Sequence, residues 1–333
     1  MEQLSLDIDG INSTILTDRQ TDRQTEQESW LDNDFLLQDR IQKIQQIVNQ
    51  YGEENFYISF SGGKDSTVLH ELVDMALPGN TIPRVYANTG IELNMIRDFV
   101  LEKAKKDSRF EIIKPSIPIK QTLEKYGYPF KSKRHAITVA RWQKSHKLSI
   151  FQKRYVEGTC YHPCPSILRY QFTDTNKLKI SHQCCVKMKE EPLKKWAQKN
   201  NKPYTILGIM RDEGGQRELS QCLAFRGNKL TAFQPLVAIT KDWEEWFIKE
   251  KNIEICDIYK PPYNFPRTGC KGCPFALNLQ DELEILEKFF PNERKQCELI
   301  WAPVYEEYRR LGYRLKSTES GQVEGQMSIF DYE

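Results

Sequence analysis

The chain has 333 residues, with 48 Lys and Arg against 46 Asp and Glu for a net charge of +2, a length that suits one large domain or a domain with a smaller appendage. Hydrophobic residues make up 39% and charged residues 28%, the ordinary composition of a globular protein, and no apolar run approaches the roughly 20 residues that a membrane span needs. The start, Met1-Glu-Gln-Leu-Ser-Leu-Asp7, is acidic and polar rather than a secretory signal, so a cytoplasmic location with no membrane partner is expected, and the nine cysteines are read as metal ligands, redox groups or buried residues rather than as a disulfide framework.

Residues 1–31 are polar, carry the small repeat Thr17-Asp-Arg-Gln-Thr-Asp-Arg-Gln24, and hold too few apolar side chains to offset the entropy of ordering. A flexible leader is expected there. From Asp32, apolar residues at Phe35, Leu36, Ile41, Ile44, Ile47 and Val48 predict an amphipathic helix ending near Tyr51-Gly52. Phe56–Phe60 reads as a short buried strand, Ser61-Gly-Gly-Lys-Asp-Ser66 as a loop, and Ser66 to Met75 as a helix. A second strand is expected at Arg84–Asn88, a second helix from Glu92 to Lys106 and a third strand at Phe110–Lys114. This alternation predicts a parallel sheet wrapped by helices.

Between Lys131 and Lys179 stand eleven Lys and Arg against only Glu157 and Asp174. Such an insertion either attracts a phosphate-rich ligand or nucleic acid, or is a solvated helix face. Further on, a helix is expected from Lys187 to Asn200, a strand at Tyr204–Ile209, and helices at Asp242–Lys251, Glu282–Phe290 and Cys297–Leu311. The domain plan that follows is a leader over 1–31, a nucleotide-binding α/β domain over 32–278, C-terminal helices over 279–316 and a flexible tail over 317–333, with Ser317 to Gly325 as linker.

A strand, then Gly-Gly, then a helix exposes backbone N–H groups at a helix start, where the helix dipole also favours an anion. Ser61 and Ser66 add hydroxyls, Lys64 a cation, and Asp65 a contact for Mg2+. The spacing is neither the Walker loop nor Gly-x-Gly-x-x-Gly. The six residues Ser61, Gly62, Gly63, Lys64, Asp65 and Ser66 instead resemble the signature of the PP-loop superfamily. That resemblance implies a doubly wound α/β fold binding ATP or an adenylyl sulfate, with cleavage of the α–β phosphate bond in many members.

Cys184-Cys185 and Cys270-x-x-Cys273 provide two close pairs of thiols. Spacing alone leaves zinc, an iron–sulfur cluster and a redox dithiol open. Cys160 and Cys164 flank His162 and either bind zinc, relay sulfur or form a Pro-stiffened turn, the last being favoured. Cys222 and Cys256 carry no motif.

Cys184-Cys-Val-Lys-Met-Lys-Glu-Glu-Pro-Leu193 and Thr268-Gly-Cys-Lys-Gly-Cys-Pro274 resemble the cysteine segments of the adenylyl-sulfate and phosphoadenylyl-sulfate reductase family. Leu207-Gly-Ile-Met-Arg-Asp-Glu213 with Arg217 resembles its Gly-x-Arg segment, Gln234-Pro-Leu236 with Trp243 its Pro-Leu…Trp stretch, and Ala87-Asn-Thr-Gly90 its Asp-Thr-Gly strand end with Asn88 in place of the acid. The resemblance implies a [4Fe-4S] cluster on Cys184, Cys185, Cys270 and Cys273, with zinc as the alternative. It implies a nucleotide held by the glycine loop together with Asn88, Thr89 and Gly90, and catalysis by Lys64, Asp65, Arg211 and Arg217. The reductases also carry a nucleophilic cysteine in a terminal Glu-Cys-Gly-Leu/Ile-His motif that this sequence lacks. Cys297 sits in Lys-Gln-Cys-Glu-Leu on an expected helix, a poor setting for a thiolate.

In motif content the chain is similar to phage-type and DNA-phosphorothioation-type members. The expectation is therefore an ATP-using iron–sulfur sulfurtransferase acting on a nucleic acid or nucleotide. The alternatives are a true sulfonucleotide reductase releasing sulfite and, from another class, a nucleotide-sensing DNA-associated protein. Gln326-Met-Ser-Ile-Phe330 resembles the peptide by which bacterial replication proteins dock on the sliding clamp, Ile329 and Phe330 serving as plugs. Gln3-Leu-Ser-Leu6 is a weaker echo of it.

Overall fold

The computed structural model describes residues 32–211 and 219–316. The expected leader, Arg217, the linker and the Gln326–Phe330 peptide lie outside the described residues.

In chain order the elements are α1 (32–51), β1 (Phe56–Phe60), α2 (Lys64–Ala76), β2 (Arg84–Ala87), α3 (Asn94–Lys106) and β3 (Phe110–Ile113). Next come α4 (Ile119–Tyr126) and, in the basic insertion, α5 (Lys133–Ser145) and α6 (Ile150–Glu157). A continuous helical stretch follows: α7 (Gln183–Cys185), a π turn (Val186–Glu190) and α8 (Glu191–Lys199). Then come β4 (Tyr204–Ile206), β5 (Leu223–Arg226), β6 (Lys229–Phe233), α9 (Lys241–Glu250), α10 (Leu279–Phe289) and α11 (Pro291–Leu311).

The six strands form one sheet in the order β3-β2-β1-β4-β6-β5. β1 pairs parallel with β4 through Phe56–Tyr204 and Ile58–Ile206, β4 pairs parallel with β6, and β5 runs antiparallel beside β6. The fold is thus the expected doubly wound, mainly parallel α/β sheet. Its order reverses between β1 and β4, the switch point at whose carboxyl end such sheets bind ligands.

The chain folds as two compact units. The first takes the described residues of Met1–Val85, Asp107–Glu111 and Ala197–Ile255. α1 contributes Leu37, Ile44, Ile47 and Val48 to its core at helical spacing, and α2 packs on β1 and α9 through Val68, Leu69, Leu72, Val73, Trp243 and Phe247. Within this unit the fully buried Arg84 is held by Asp74 at 2.5 Å, by His70 Nδ1 at 3.0 Å and by Asn80 Oδ1 at 2.8 Å. A buried guanidinium is tolerated only with such partners.

The second unit takes Tyr86–Lys106, Ile112–Trp196 and the described residues from Cys256 onward. Its core gathers Phe130, Val139, Tyr155, Leu168, Leu283, Leu286, Trp301, Val304, Tyr305 and Tyr308. His135, also buried there, bonds the Tyr155 hydroxyl at 2.9 Å and Gln171 Oε1 at 2.6 Å. Burial pushes its imidazole down to about 4. Among the described residues no helix is long and apolar enough to cross a membrane.

Candidate functional site

β1 ends at Phe60 and the chain turns at once into α2 through Ser61, Gly62 and Gly63. Gly62 has φ +75°, a conformation that glycine adopts without penalty. Ser66 Oγ donates to the Gly63 carbonyl at 2.9 Å, lies 3.0 Å from Ser61 Oγ and accepts from the Ser61 amide at 3.2 Å. Thr67 Oγ1 also donates to Gly63 O, at 3.0 Å. The loop is therefore braced from within. No side chain caps α2, and its first intrahelical bond is Thr67 N to Gly63 O. The amides of Lys64, Asp65 and Ser66 precede that bond, so they are left for an anion.

β4, next to β1 at the switch point, runs into Leu207 and Gly208. A Cβ at Gly208 would stand 2.9 Å from the Asp65 carbonyl oxygen and 3.1 Å from its carbon. Glycine is needed there because the loop backbone comes so close.

Opposite the loop, α9 brings in a residue that the sequence reading missed. Glu244 has no exposed side-chain surface, and one of its carboxylate oxygens lies 3.3 Å from Lys64 Nζ. Among the described residues, neither oxygen has a partner at good hydrogen-bond geometry. Burial, together with the nearby Asp65 carboxylate, pushes Glu244 up to about 7 against the opposing pull of Lys64. In sequence it is one of several acids on an amphipathic helix. The only signal was its place beside the buried Trp243 and one turn before the buried Phe247.

The other expected nucleotide residues divide between the units. Arg211 belongs to the first, is exposed, and donates from Nε to the Ser220 carbonyl at 2.9 Å. Asn88, Thr89 and Gly90 follow β2 in the second unit and form a fixed turn. Asn88 Oδ1 accepts from the Gly90 amide at 3.2 Å, and the Thr89 amide and hydroxyl both donate to the buried Glu92 carboxylate.

The four cysteines all lie in the second unit. Cys184 and Cys185 occupy α7, immediately before the π turn, and Cys270 and Cys273 occupy a tight loop in which Cys273 N bonds Cys270 O at 3.2 Å. Helix α11 holds that loop by its carbonyls. Trp301 Nε1 donates to Lys271 O at 2.9 Å, the Tyr305 hydroxyl to Gly272 O, and the Tyr308 hydroxyl to Pro274 O at 2.9 Å. Gly272, at φ +58°, has no room for a side chain, since a Cβ would stand 2.8 Å from Cys297 Sγ.

All four are free thiols. The S–H of Cys184 supports a thiolate on Cys185, so Cys184 is held up and Cys185 down. Burial raises Cys270 and, together with the charges of Cys270 and Cys185, raises Cys273. Lys189, inside the π turn, is held protonated chiefly by Cys270, with Glu92, Cys185 and Cys273 adding to it. The four sulfurs thus feel one another's charge. Among the described residues, however, no three His, Cys, Asp or Glu side chains converge closely enough for one metal ion. Four thiolates are a donor set that either zinc or an iron–sulfur cluster accepts.

The remaining cysteines are set differently. Cys297 is buried and its thiol is pushed up to about 12 by burial. Cys164 is buried 3.9 Å from His135 Nδ1, and Cys160 lies 3.5 Å from Arg134 Nη2.

A braced glycine loop at the switch point of a doubly wound sheet defines a PP-loop protein. Residues 55–160 and 151–276 match the phosphoadenosine phosphosulfate reductase domain, and the chain belongs to that family. An uncharacterized protein of Methanocaldococcus jannaschii is 28% identical over 258 residues, covering 73% of this chain. The chain spans about half (49%) of that curated relative's length. Two solved structures also align with it. Phosphoadenylyl-sulfate reductase from Candida auris is 12% identical over 68% of this chain and 88% of its own, with a TM-score of 0.37. The U34-tRNA thiolase NcsA from Methanococcus maripaludis, solved with its [4Fe-4S] cluster, is 14% identical over 89% of this chain and 86% of its own, with a TM-score of 0.37.

Proposed function

We propose that this protein is an ATP-using, iron–sulfur-dependent sulfur-transfer enzyme that cleaves the α–β phosphate bond to activate a nucleic acid or nucleotide. The observation that carries the reading is the coexistence of the braced loop Ser61–Ser66 with four free thiols that share their ionisation. Against the reductase alternative stands Cys297. It is the one cysteine of this sequence beyond Cys273, and it is sealed in a core with its thiol pushed up to about 12.

In this reading the free amides at the start of α2 take the phosphate oxygens, and the Ser61 and Ser66 hydroxyls turn to them from the bonds that brace the loop. The Lys64 ammonium turns from Glu244 to the phosphates as they arrive. Asp65 is the contact for Mg2+. Arg211 and Arg217 balance charge on the reacting phosphate. Cys184, Cys185, Cys270 and Cys273 hold the cluster, and Lys189 supplies a cation beside their thiolates. When bound, an iron–sulfur cluster supplies iron sites that hold and release sulfur.

Anaerobic purification followed by iron and sulfide analysis, then incubation with ATP or with adenylyl sulfate, tests the assignment. Iron, labile sulfide and ATP turnover are expected. A colourless protein containing zinc would sink the cluster, and reductant-dependent sulfite release from adenylyl sulfate would favour the reductase.

A further inference from the structure

The basic insertion displays two largely exposed aromatic side chains, Phe151 and Tyr161, the latter meeting the neighbouring His162 ring edge-on at 4.4 Å. α6 buries only Tyr155, whereas Ile150 is 70% and Phe151 77% exposed on its first turn. That turn is firmly held. Ser149 Oγ accepts from Gln152 N, Gln152 Oε1 accepts from Ser149 N at 3.0 Å, and Arg141 Nη1 ties the same Oε1 to α5 at 3.2 Å. Tyr161, 91% exposed, sits on the loop after α6. The loop is pinned by Thr159 N to Arg154 O at 2.9 Å, by Cys164 N to Tyr155 O at 2.8 Å and by Arg134 Nη1 to His162 O at 3.4 Å.

Lone exposed apolar residues are common on protein surfaces. These two stand in a stretch, 131–161, that carries eight Lys and Arg against the single acid Glu157. Lys144, Lys147, Lys153 and Arg154 are exposed, and none makes an ion pair with a described residue. A membrane-surface helix would need an apolar stripe along its length, whereas α6 exposes only its first turn. Isolated aromatics among unpaired cations instead match the way unpaired bases stack while phosphates are neutralised, and bases inside a duplex are closed to such stacking.

We propose that the start of α6 and the 158–164 loop bind a single-stranded stretch of nucleic acid. Phe151 and Tyr161 stack on bases, and Lys144, Lys147, Lys153 and Arg154 meet the phosphates. This rests on the nucleic-acid acceptor of the proposed function and names the form it takes.

Fluorescence anisotropy on the full chain, with labelled oligo-uridine, oligo-thymidine and a DNA duplex, tests it. The single strands should bind more tightly than the duplex. Phe151→Ala and Tyr161→Ala should each weaken single-strand binding roughly tenfold, while Lys147→Ala should lower the salt slope by roughly 0.7. Both aromatic side chains are exposed, so unchanged thermal melting serves as the folding control. A preference between uridine and thymidine strands identifies RNA or DNA as the source, and either supports the proposal. Equal duplex binding with silent aromatic variants would overturn it, as would binding to phosphatidylserine vesicles but not to oligonucleotides. Strand binding without ATP turnover would refute the enzyme reading and leave this one standing. Turnover with an iron-loaded protein that binds no strand would do the reverse.

Discussion

The Lys64 ammonium lies 3.3 Å from a Glu244 carboxylate that has no exposed surface and, among the described residues, no well-aligned hydrogen bond. The loop's cation is thus paired to a buried acid whose carboxyl is pushed up to about 7. Phosphate oxygens reaching the loop compete with that acid for Lys64.

A stability difference follows from this pairing. Folded Glu244 keeps its proton up to about 7, whereas an unfolded Glu releases it near pH 4.3. Across that window the folded state binds more protons, so stability falls as pH rises through it. The contribution is on the order of 3–4 kcal/mol over the whole window, of which roughly 2–3 kcal/mol falls between pH 5 and 8. Urea unfolding of Glu244→Gln should show a flatter pH profile than the natural chain by that amount between about pH 5 and 8. Parallel profiles would count against the buried acid.

Gly208→Ala should push on the Asp65 backbone, which a Cβ would meet at 2.9 Å. Overpacking of this kind costs about 1–3 kcal/mol, and here it displaces the phosphate cradle. Titration calorimetry should show nucleotide binding weakened by about tenfold or more. Gly269→Ala, where a Cβ meets nothing within 4 Å, should leave binding unchanged.

Serine at Cys184, Cys185, Cys270 or Cys273 should each remove most of the bound iron and labile sulfide. Cys160→Ser, in the loop after α6, should retain both. Iron retained in all four single variants would refute the assignment of these thiols.

Tyr308→Phe removes a hydroxyl that donates to Pro274 O at 2.9 Å and accepts from Lys131 N at 2.7 Å. Arg314 Nη1 still serves Pro274 O, at 2.8 Å, but the Lys131 amide loses its acceptor. A loss of about 1–2 kcal/mol is expected in thermal or urea unfolding.

Much of this arrangement is written locally in the chain. Phe56–Phe60, the two glycines and the apolar spacing of Val68, Leu69, Leu72 and Val73 specify strand, turn and helix by themselves, and the loop is where they place it. The cysteine pairs were legible as residue types. What fixes the second pair was not, because the Trp301, Tyr305 and Tyr308 bonds that hold its loop to α11 span 30 residues or more.

The β5–β6 hairpin was missed although Gly227-Asn228 between two short strands is a turn signal. Helix α11 begins at Pro291 rather than Cys297 and runs through Pro303. Proline is at home in a first helical turn, and the buried Cys297, Trp301, Val304, Tyr305 and Tyr308 carry the helix past the interior one. Glu244 stayed hidden because a charged residue on a surface-type helix looks solvated until the neighbouring loop is in place.

The most direct test of the central claim is the identity of the nucleotide products. Anaerobically purified, iron-loaded protein incubated with ATP, magnesium and an unpaired RNA or DNA strand should release AMP and pyrophosphate, with Lys64→Ala abolishing both. ADP and orthophosphate as the products would contradict α–β cleavage and the account built on it.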